Sequence, residues 1–505
     1  MTHDSMTPDN LPILVGCGQY TQRDVDPAAA KSPLEMMAEC ARRAAQDAGA
    51  GPNLLAGADL VGVVNILSWP YANAPGALAA ELGCQPARQL YTTIGGNSPQ
   101  SLVNATAEKI ARGEVRLALL AGAEAVSSVR RAQKAKCALP WPSAGEGKAE
   151  TYGEKRHGTN DIEGAFGLQL PTQVYPLFEN ALRRHYGRSI AAHQNALGEL
   201  CARFSAVAAQ NPYAWFREAR SAEEIATVSP DNRYIAFPYP KYMNAIMDVD
   251  QAAAVLVTSV GEARALGIPA SRWVYLAGCG DAHDHWFVTD RVNYFSSPAI
   301  RRAGTTALEM AGATIGDIAH FDIYSCFPSA VQIARDALGI AADDPRPLTS
   351  TGGLPYFGGP GNNYSMHGIA AVMDKVRARP GSKGLVTALG WYITKHSVGI
   401  YSTQPPDKPW QRRDPAADQA EIDARKGPEV VREPNGPAEV ETYTVFFDRD
   451  GTPVRGLVVG RLEGGRRFLA ELPSDRALLE SMTQEEAIGR RGEVRSEGGT
   501  STLRL

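Results

Sequence analysis

Residues 351–371 read TGGLPYFGGPGNNYSMHGIAA, six glycines and two prolines in one run that passes into a helix-forming segment. The helix is expected over about 363–379, so Asn362, Asn363, Tyr364 and His367 fall at its start, where they can supply polar contacts. Upstream, 273–278 and 321–325 read as short buried strands, while 298–311 and a segment opening at Pro328 read as helices. Downstream, 386–389 and 398–401 give two more strands around the turn GWYITKHS, residues 390–397. Residues 270–403 are therefore a unit of alternating strands and helices.

The same rhythm fills residues 1–123 and resumes over 241–269. Residues 13–17 form an apolar strand, and Ser32-Pro33-Leu34-Glu35 is a capping box with proline at the first helical position. Leu34, Met37, Ala41, Ala44, Ala45 and Ala48 keep helical spacing up to Gly49. Strands follow at 60–67, 89–94 and 115–121, with helices at 76–82 and from Ser98-Pro99 to about 112; 248–266 is a strand followed by a helix. Such alternation implies a largely parallel sheet covered on both faces. Residues 124–240 break the pattern with basic residues, prolines, aromatics and amphipathic helices such as 173–185, and read as an inserted domain laid over the sheet.

Residues 404–437 hold seven prolines among many charges and read as a linker. Over 438–505 the period shortens: strands at 440–447, 453–462 and 466–472, a helical segment at 477–489, then strands at 492–496 and 500–505. Three strands, a helix and two strands is the order of an OB-type barrel. This barrel is not strongly basic and has no aromatic ladder, so it is expected to cover substrate or contact protein rather than nucleic acid.

A chain of 505 residues exceeds one hydrophobic core, and 44% hydrophobic with 21% charged residues is ordinary globular composition. A net charge of −4 argues against nucleic acid. The polar stretch 1–10 is unlike a secretory signal, and no apolar run approaches the ~20 residues that span a bilayer. Seven cysteines without CxxC spacing indicate neither a zinc site nor a disulfide framework, and a cytoplasmic home is expected.

The glycine block, the segment YSCFPSAV (324–331) and DVDQAAAVLV (248–257) resemble the thiolase superfamily over about residues 12–402, and Cys326-Phe327 favours its sterol-carrier-protein branch. The resemblance implies an α/β pseudo-duplicated thiolase fold, two βα halves in five layers, with the small OB-like barrel appended. It implies acyl-CoA as substrate or ligand, no permanently bound cofactor, and an acyltransferase in lipid or sterol metabolism. Thiolases use a cysteine at a helix start, a GHP histidine and a CxG cysteine. Gly95, Gly359 and Gly390 stand at those positions here.

By the resemblance, catalytic roles shift to Tyr324, at the oxyanion-hole position, to Cys326 and to His396. Gly96, Asn97, Gly358, Asn362 and His367 are the expected substrate contacts. Each has a bland alternative: a packed tyrosine, a buried structural thiol, a core or capping histidine, and for His396 a solvated pair with Lys395, whose like charge would lower its pKa. Arg130, Arg131, Lys134, Lys136, Lys155 and Arg156 are either CoA-phosphate contacts or solvated loop surface. Two further readings stand beside the acyltransferase. One is retro-aldol cleavage of a 3-hydroxyacyl-CoA, because thiolase-like aldolases also lack the thiols and pair with an OB-type partner. The other is a non-catalytic CoA-binding protein. The expected assembly is a homodimer, or a partner protein held by the C-terminal domain.

Overall fold

A computed structural model describes residues 8–51, 53–143 and 145–505; the first seven residues of the polar N-terminal stretch lie outside the described residues. The first half comprises β1 (Pro12–Thr21), α1 (Pro33–Asp47), β2 (Leu60–Val63), α2 (Ala74–Leu82), β3 (Arg88–Thr92), α3 (Ser98–Ala111) and β4 (Leu117–Ala125). An excursion follows: α4 (Val126–Ala135), β5 (Glu150–Tyr152), α5 (Asp161–Ala165), α6 (Pro171–His185), α7 (Ile190–Gln210), α8 (Ala222–Ala226), β6 (Tyr234–Ala236) and β7 (Tyr239–Pro240). The chain returns through β8 (Asp250–Ser259) and α9 (Val260–Ala265). The second half holds β9 (Val274–His283), α10 (Pro298–Met310), β10 (Ile318–Asp322), α11 (Pro328–Ala337), α12 (Tyr364–Ala378), β11 (Lys383–Gly390) and β12 (Lys395–Ser402). After α13 (Pro415–Asp423) come β13 (Gly436–Phe447), β14 (Pro453–Leu462), β15 (Arg467–Glu471), α14 (Arg476–Gln484), β16 (Arg491–Glu497) and β17 (Thr500–Arg504).

Ten strands run in the order β10-β11-β12-β9-β1-β8-β4-β2-β3-β5. Read outward from the β9–β1 junction, the two arms repeat each other. In the first arm β1 and β8 are antiparallel, β8 and β4 antiparallel, β4 and β2 parallel. In the second, β9 and β12, β12 and β11, then β11 and β10 follow the same sequence of directions. The sheet is thus mixed rather than largely parallel. β11 and β12 are joined by a four-residue turn, which permits only an antiparallel return.

The duplication is also written in residues. Gly16-Cys17-Gly18 on β1 and Gly278-Cys279-Gly280 on β9 occupy matching places. A Cβ on Gly16 or Gly18 would collide with the carbonyl oxygens of Ala44 or Cys40 in α1; one on Gly278 or Gly280 would strike Ala307 or Ala303 in α10. Each helix therefore lies directly on its strand at two points four residues apart. Gly278→Ala is expected to destabilise the protein by about 1–3 kcal/mol in urea unfolding, because backbone rather than a mobile side chain must move.

Helices α3 and α12 touch strands of both arms and form the middle layer, α1 and α2 cover the first arm, and α10 with α11 the second. The result is five layers. β4 is buried along its whole length (LALLAGAEA), and its small residues let helices approach from both faces.

The C-terminal strands close as β13-β14-β15-β17-β16-β13, a five-stranded barrel consistent with an OB-like domain, with α14 between the third and fourth strands. Its core includes Val440, Val458, Phe468 and Leu503. The excursion grips it: β6 pairs with β13 at Ala236–Phe446, Asn180 of α6 donates to Tyr443 O at 2.9 Å, and Arg183 holds Glu486 through two bonds of 2.7 and 2.8 Å. The proline-rich segment is docked along the body. Trp410 Nε1 donates to Leu276 O (2.7 Å), Arg412 joins Glu108 and Asp281, and Gln419 of α13 bonds to both backbone groups of His283. Among the described residues no helix is long and apolar enough to cross a membrane.

Candidate functional site

The start of α3 meets the β11–β12 turn. Gly95, at φ 154°, lies in the region that favours glycine. A Cβ there would come within 2.5 Å of Asn97 Oδ1 and 2.6 Å of Lys395 Nζ; a Cβ on Gly390 would collide with the same Asn97 oxygen and reach 2.8 Å from Lys395 Cε. The side-chain volumes missing at 95 and 390 are therefore occupied by one amide and one amine. Asn97 Oδ1 is buried without a hydrogen-bond partner, and Lys395 Nζ donates to Ile94 O at 2.6 Å. Burial pulls the Lys395 ammonium down to about 8, with Glu154 acting in the opposite direction. Asn362, from the glycine block, accepts from Gly95 N (2.8 Å) and donates to Asn65 O (3.0 Å), tying the two halves together.

A cavity of about 440 Å³ opens beside this cluster, between Asn97 and Ser98 at the start of α3, Tyr152, Trp286, Lys395, His396 and the first turn of α13. A second, of about 390 Å³, is reached past Thr93 and Glu154 and is bordered by Ile94, Lys155, Arg156 and Trp391. Arg156 stacks on Trp286 at 4.9 Å.

The turn that carries Lys395 is strained. Among the described residues four non-glycine residues have positive φ, and two of them, Trp391 (58°) and Ile393 (55°), sit here. Each such residue costs about 1–3 kcal/mol and persists only where its surroundings impose it. Arg291 imposes it, donating to Ile393 O (2.8 Å), Tyr392 O (3.0 Å) and Thr394 Oγ1 (3.0 Å) from a fully enclosed position beside Asp284. Arg467, a buried barrel residue, donates in turn to the carbonyls of Thr289 and Arg291 while paired with Glu441. The barrel thus braces the turn through two arginines.

Gly95, Gly390, Asn97 and Asn362 come together, with Gly96 and Tyr324 directly beneath: a Cβ on Gly96 would collide with the Tyr324 hydroxyl. Tyr324 is buried, lines neither large cavity, and burial drives its hydroxyl pKa far above the ordinary value. Gly359 lies apart. Its missing side chain would point at Leu354 and the Ile246 carbonyl, 3.3 and 3.4 Å away, and Gly358 abuts Gln251. Cys326 is enclosed beside Tyr175 and Phe327, and burial pushes its thiol up to about 12. His367 is held in the core by Gln19 (2.9 Å), and burial brings it down to about 3.

His396 does not face the amine. Strand residues alternate, so Lys395 and Ser397 turn toward α3, while His396 shares its side with Val398 and Ile400, under α10 and α11. Its Nε2 stands 3.4 Å from Asp284 Oδ2, an ion-pair distance too long for a good hydrogen bond. Burial raises the Asp284 pKa, but His396 and Arg291 outweigh it and hold the carboxyl below its usual range. Sequence reasoning weighed Lys395 only as a neighbour of His396. The signal that could have promoted it was strand alternation.

The family model for the thiolase-like protein type 1 additional C-terminal domain matches residues 418–499. The crystal structure of a monomeric SCP2-thiolase-like protein type 1 from Mycobacterium smegmatis superposes with a TM-score of 0.86 at 37% identity, covering 99% of this chain and 100% of that one. The Ltp2–ChsH2(DUF35) aldolase superposes at 0.59 with 19% identity, over 78% of this chain and 98% of that one. An acetyl-CoA acetyltransferase from Syntrophomonas wolfei gives 0.56 at 14% identity, over 79% and 100%. No curated protein matches. The first of these structures matches nearly the whole chain, the duplicated sheet and the appended barrel included, and the chain belongs to the SCP2-thiolase-like proteins of the thiolase superfamily.

Proposed function

We propose that this chain binds an acyl-CoA in the cleft beside α3 and acts on it without forming an acyl-enzyme, by retro-aldol cleavage of a 3-hydroxyacyl-CoA. The observation that carries this reading is the refilled junction. Asn97 and Lys395 occupy the volume that side chains at 95 and 390 would take, and neither position carries a thiol, which supports a reaction without an acyl-enzyme. Retro-aldol cleavage needs only proton transfer and stabilisation of a thioester enolate. The start of α3 borders the cavity at Asn97 and Ser98 and turns the positive end of its helix dipole toward that oxygen. Lys155 and Arg156 border the second cavity and suit CoA phosphates, whereas Arg130 and Arg131 are engaged with Asp248 and Asp250. Family-level acyltransfer in lipid or sterol metabolism would use the same cleft, but Gly95 and Gly390 offer no thiol to carry the acyl group.

The test is incubation with acetoacetyl-CoA plus CoA, and separately with 3-hydroxyacyl-CoA esters, followed by mass spectrometry of products and intact protein. Expected are cleavage of the hydroxy ester, no thiolysis, and an unchanged protein mass. Thiolysis, or a protein heavier by one acyl group, would overturn the proposal. Tight CoA binding with neither reaction would reduce the protein to a non-catalytic acyl-CoA carrier.

A further inference from the structure

We infer that Lys395 is the catalytic base of this cleft: its amine, standing where two thiols are absent, takes the 3-hydroxyl proton of a bound 3-hydroxyacyl thioester. The inference rests on the function proposed above and names the residue that performs it. Three features of geometry support it. Lys395 Nζ lies within 2.6 Å of the place a side chain at Gly95 would begin, and its Cε fills the matching place at Gly390. The side chain borders the 440 Å³ cavity instead of the packed layer behind it. Its position is fixed: Nζ bonds to Ile94 O, the Trp286 ring lies 5.9 Å away, and the strained turn preceding it is clamped by Arg291.

Tyr152, Glu154, Asp281, His283, His396 and Asp414 border the same cavity, from β5 and the segment after it, from β9, from β12 and from the cap of α13, and the His396 ring turns away toward Asp284. Burial outweighs the attraction of Glu154 and leaves Lys395 titrating close to neutrality, where a base is most effective. The neutral amine accepts the hydroxyl proton, the C2–C3 bond breaks, and its electron pair moves to C2 and the thioester oxygen as an enolate. The ammonium then returns the proton to C2. The products are a ketone or aldehyde and a shortened acyl-CoA, and no other reactant is consumed.

Two measurements on the full chain test this. Lysines are labelled with acetic anhydride across a pH series, with and without saturating 3-hydroxyacyl-CoA, and the Lys395 peptide is quantified by mass spectrometry. Turnover and CoA binding by calorimetry are then compared for the parent, Lys395→Met and Lys395→Arg. Expected are a labelling midpoint near pH 8, protection by the thioester, and turnover reduced about a hundredfold or more in both variants with CoA binding retained. Undiminished labelling in the presence of bound thioester, or turnover in Lys395→Met within about tenfold of the parent, would overturn the assignment while leaving acyl-CoA cleavage in place. If the parent binds no thioester at all, the proposed function fails, and the base assignment with it.

Discussion

Lys395→Met is expected to raise stability by about 2 kcal/mol at pH 7. An ordinary lysine titrates near 10.4, and burial brings Lys395 down to about 8. Below pH 8 the amine is protonated in the folded and unfolded chains alike, so the folded state carries the whole penalty of a desolvated charge. Between about 8 and 10.4 the folded chain has already lost its proton while the unfolded chain keeps it, and stability rises with pH. Above that window both forms are neutral and the penalty has gone. The difference amounts to roughly 3 kcal/mol, from which the hydrogen bond to Ile94 O takes back about one. Urea unfolding of parent and variant at pH 7 and pH 10.5 checks it: the variant should be more stable at the lower pH and lose that advantage at the higher. Equal stability at both would mean the amine is solvated.

Arg467→Met is expected to cost about 3–5 kcal/mol, the largest loss of stability anticipated for a single change in the barrel. Arg467 is 0% exposed, and two of its nitrogens meet the Glu441 carboxylate at 2.7 and 2.8 Å. Its remaining nitrogen serves the carbonyls of Thr289 and Arg291. Methionine fills similar volume and leaves those carbonyls buried without a donor. Glu441 keeps Arg461 at 2.7 Å, which limits the damage on the barrel side. The released segment includes Arg291, the clamp on the turn before Lys395. A positioning role therefore predicts a second effect that packing alone does not: the acetic anhydride midpoint of Lys395 should move toward that of an ordinary lysine. Thermal or urea unfolding reads the first effect, and peptide mass spectrometry the second.

Much of the fold was legible because its signals are local. Ser32 and Glu35 form the reciprocal cap the sequence announces, and Pro328 and Pro298 open helices where their fixed φ suits the first turn. Strand direction is not local. β8 and β12 carry the same apolar runs as parallel strands would, and only their connections turn them antiparallel. The paired Gly-Cys-Gly segments, three residues each, are too short to stand out until the helices lying on them are seen. Composition misjudged the proline-rich segment, because a few anchors such as Trp410, Arg412 and Ile422 suffice to hold a strap that has its own short helix.

At the site the limiting factor was register. Gly95, Gly390 and Asn362, far apart in the chain, do meet at one junction. On β12 a difference of one residue moves a side chain to the opposite face. It sends the His396 ring toward Asp284 and the Lys395 amine toward α3, although both residues border the cavity. Gly359, three residues before Asn362, faces Leu354, so the glycine block meets Gly95 through its asparagine and not through Gly359.

A crystal structure of the full chain soaked with a non-cleavable 3-hydroxyacyl-CoA analogue addresses the refilled cleft directly. The 3-hydroxyl is expected within hydrogen-bond reach of Lys395 Nζ, the thioester oxygen at the first turn of α3, and no covalent bond to protein. An analogue bound with its pantetheine away from Gly95 and Lys395, or an acyl group attached to any side chain, would contradict it.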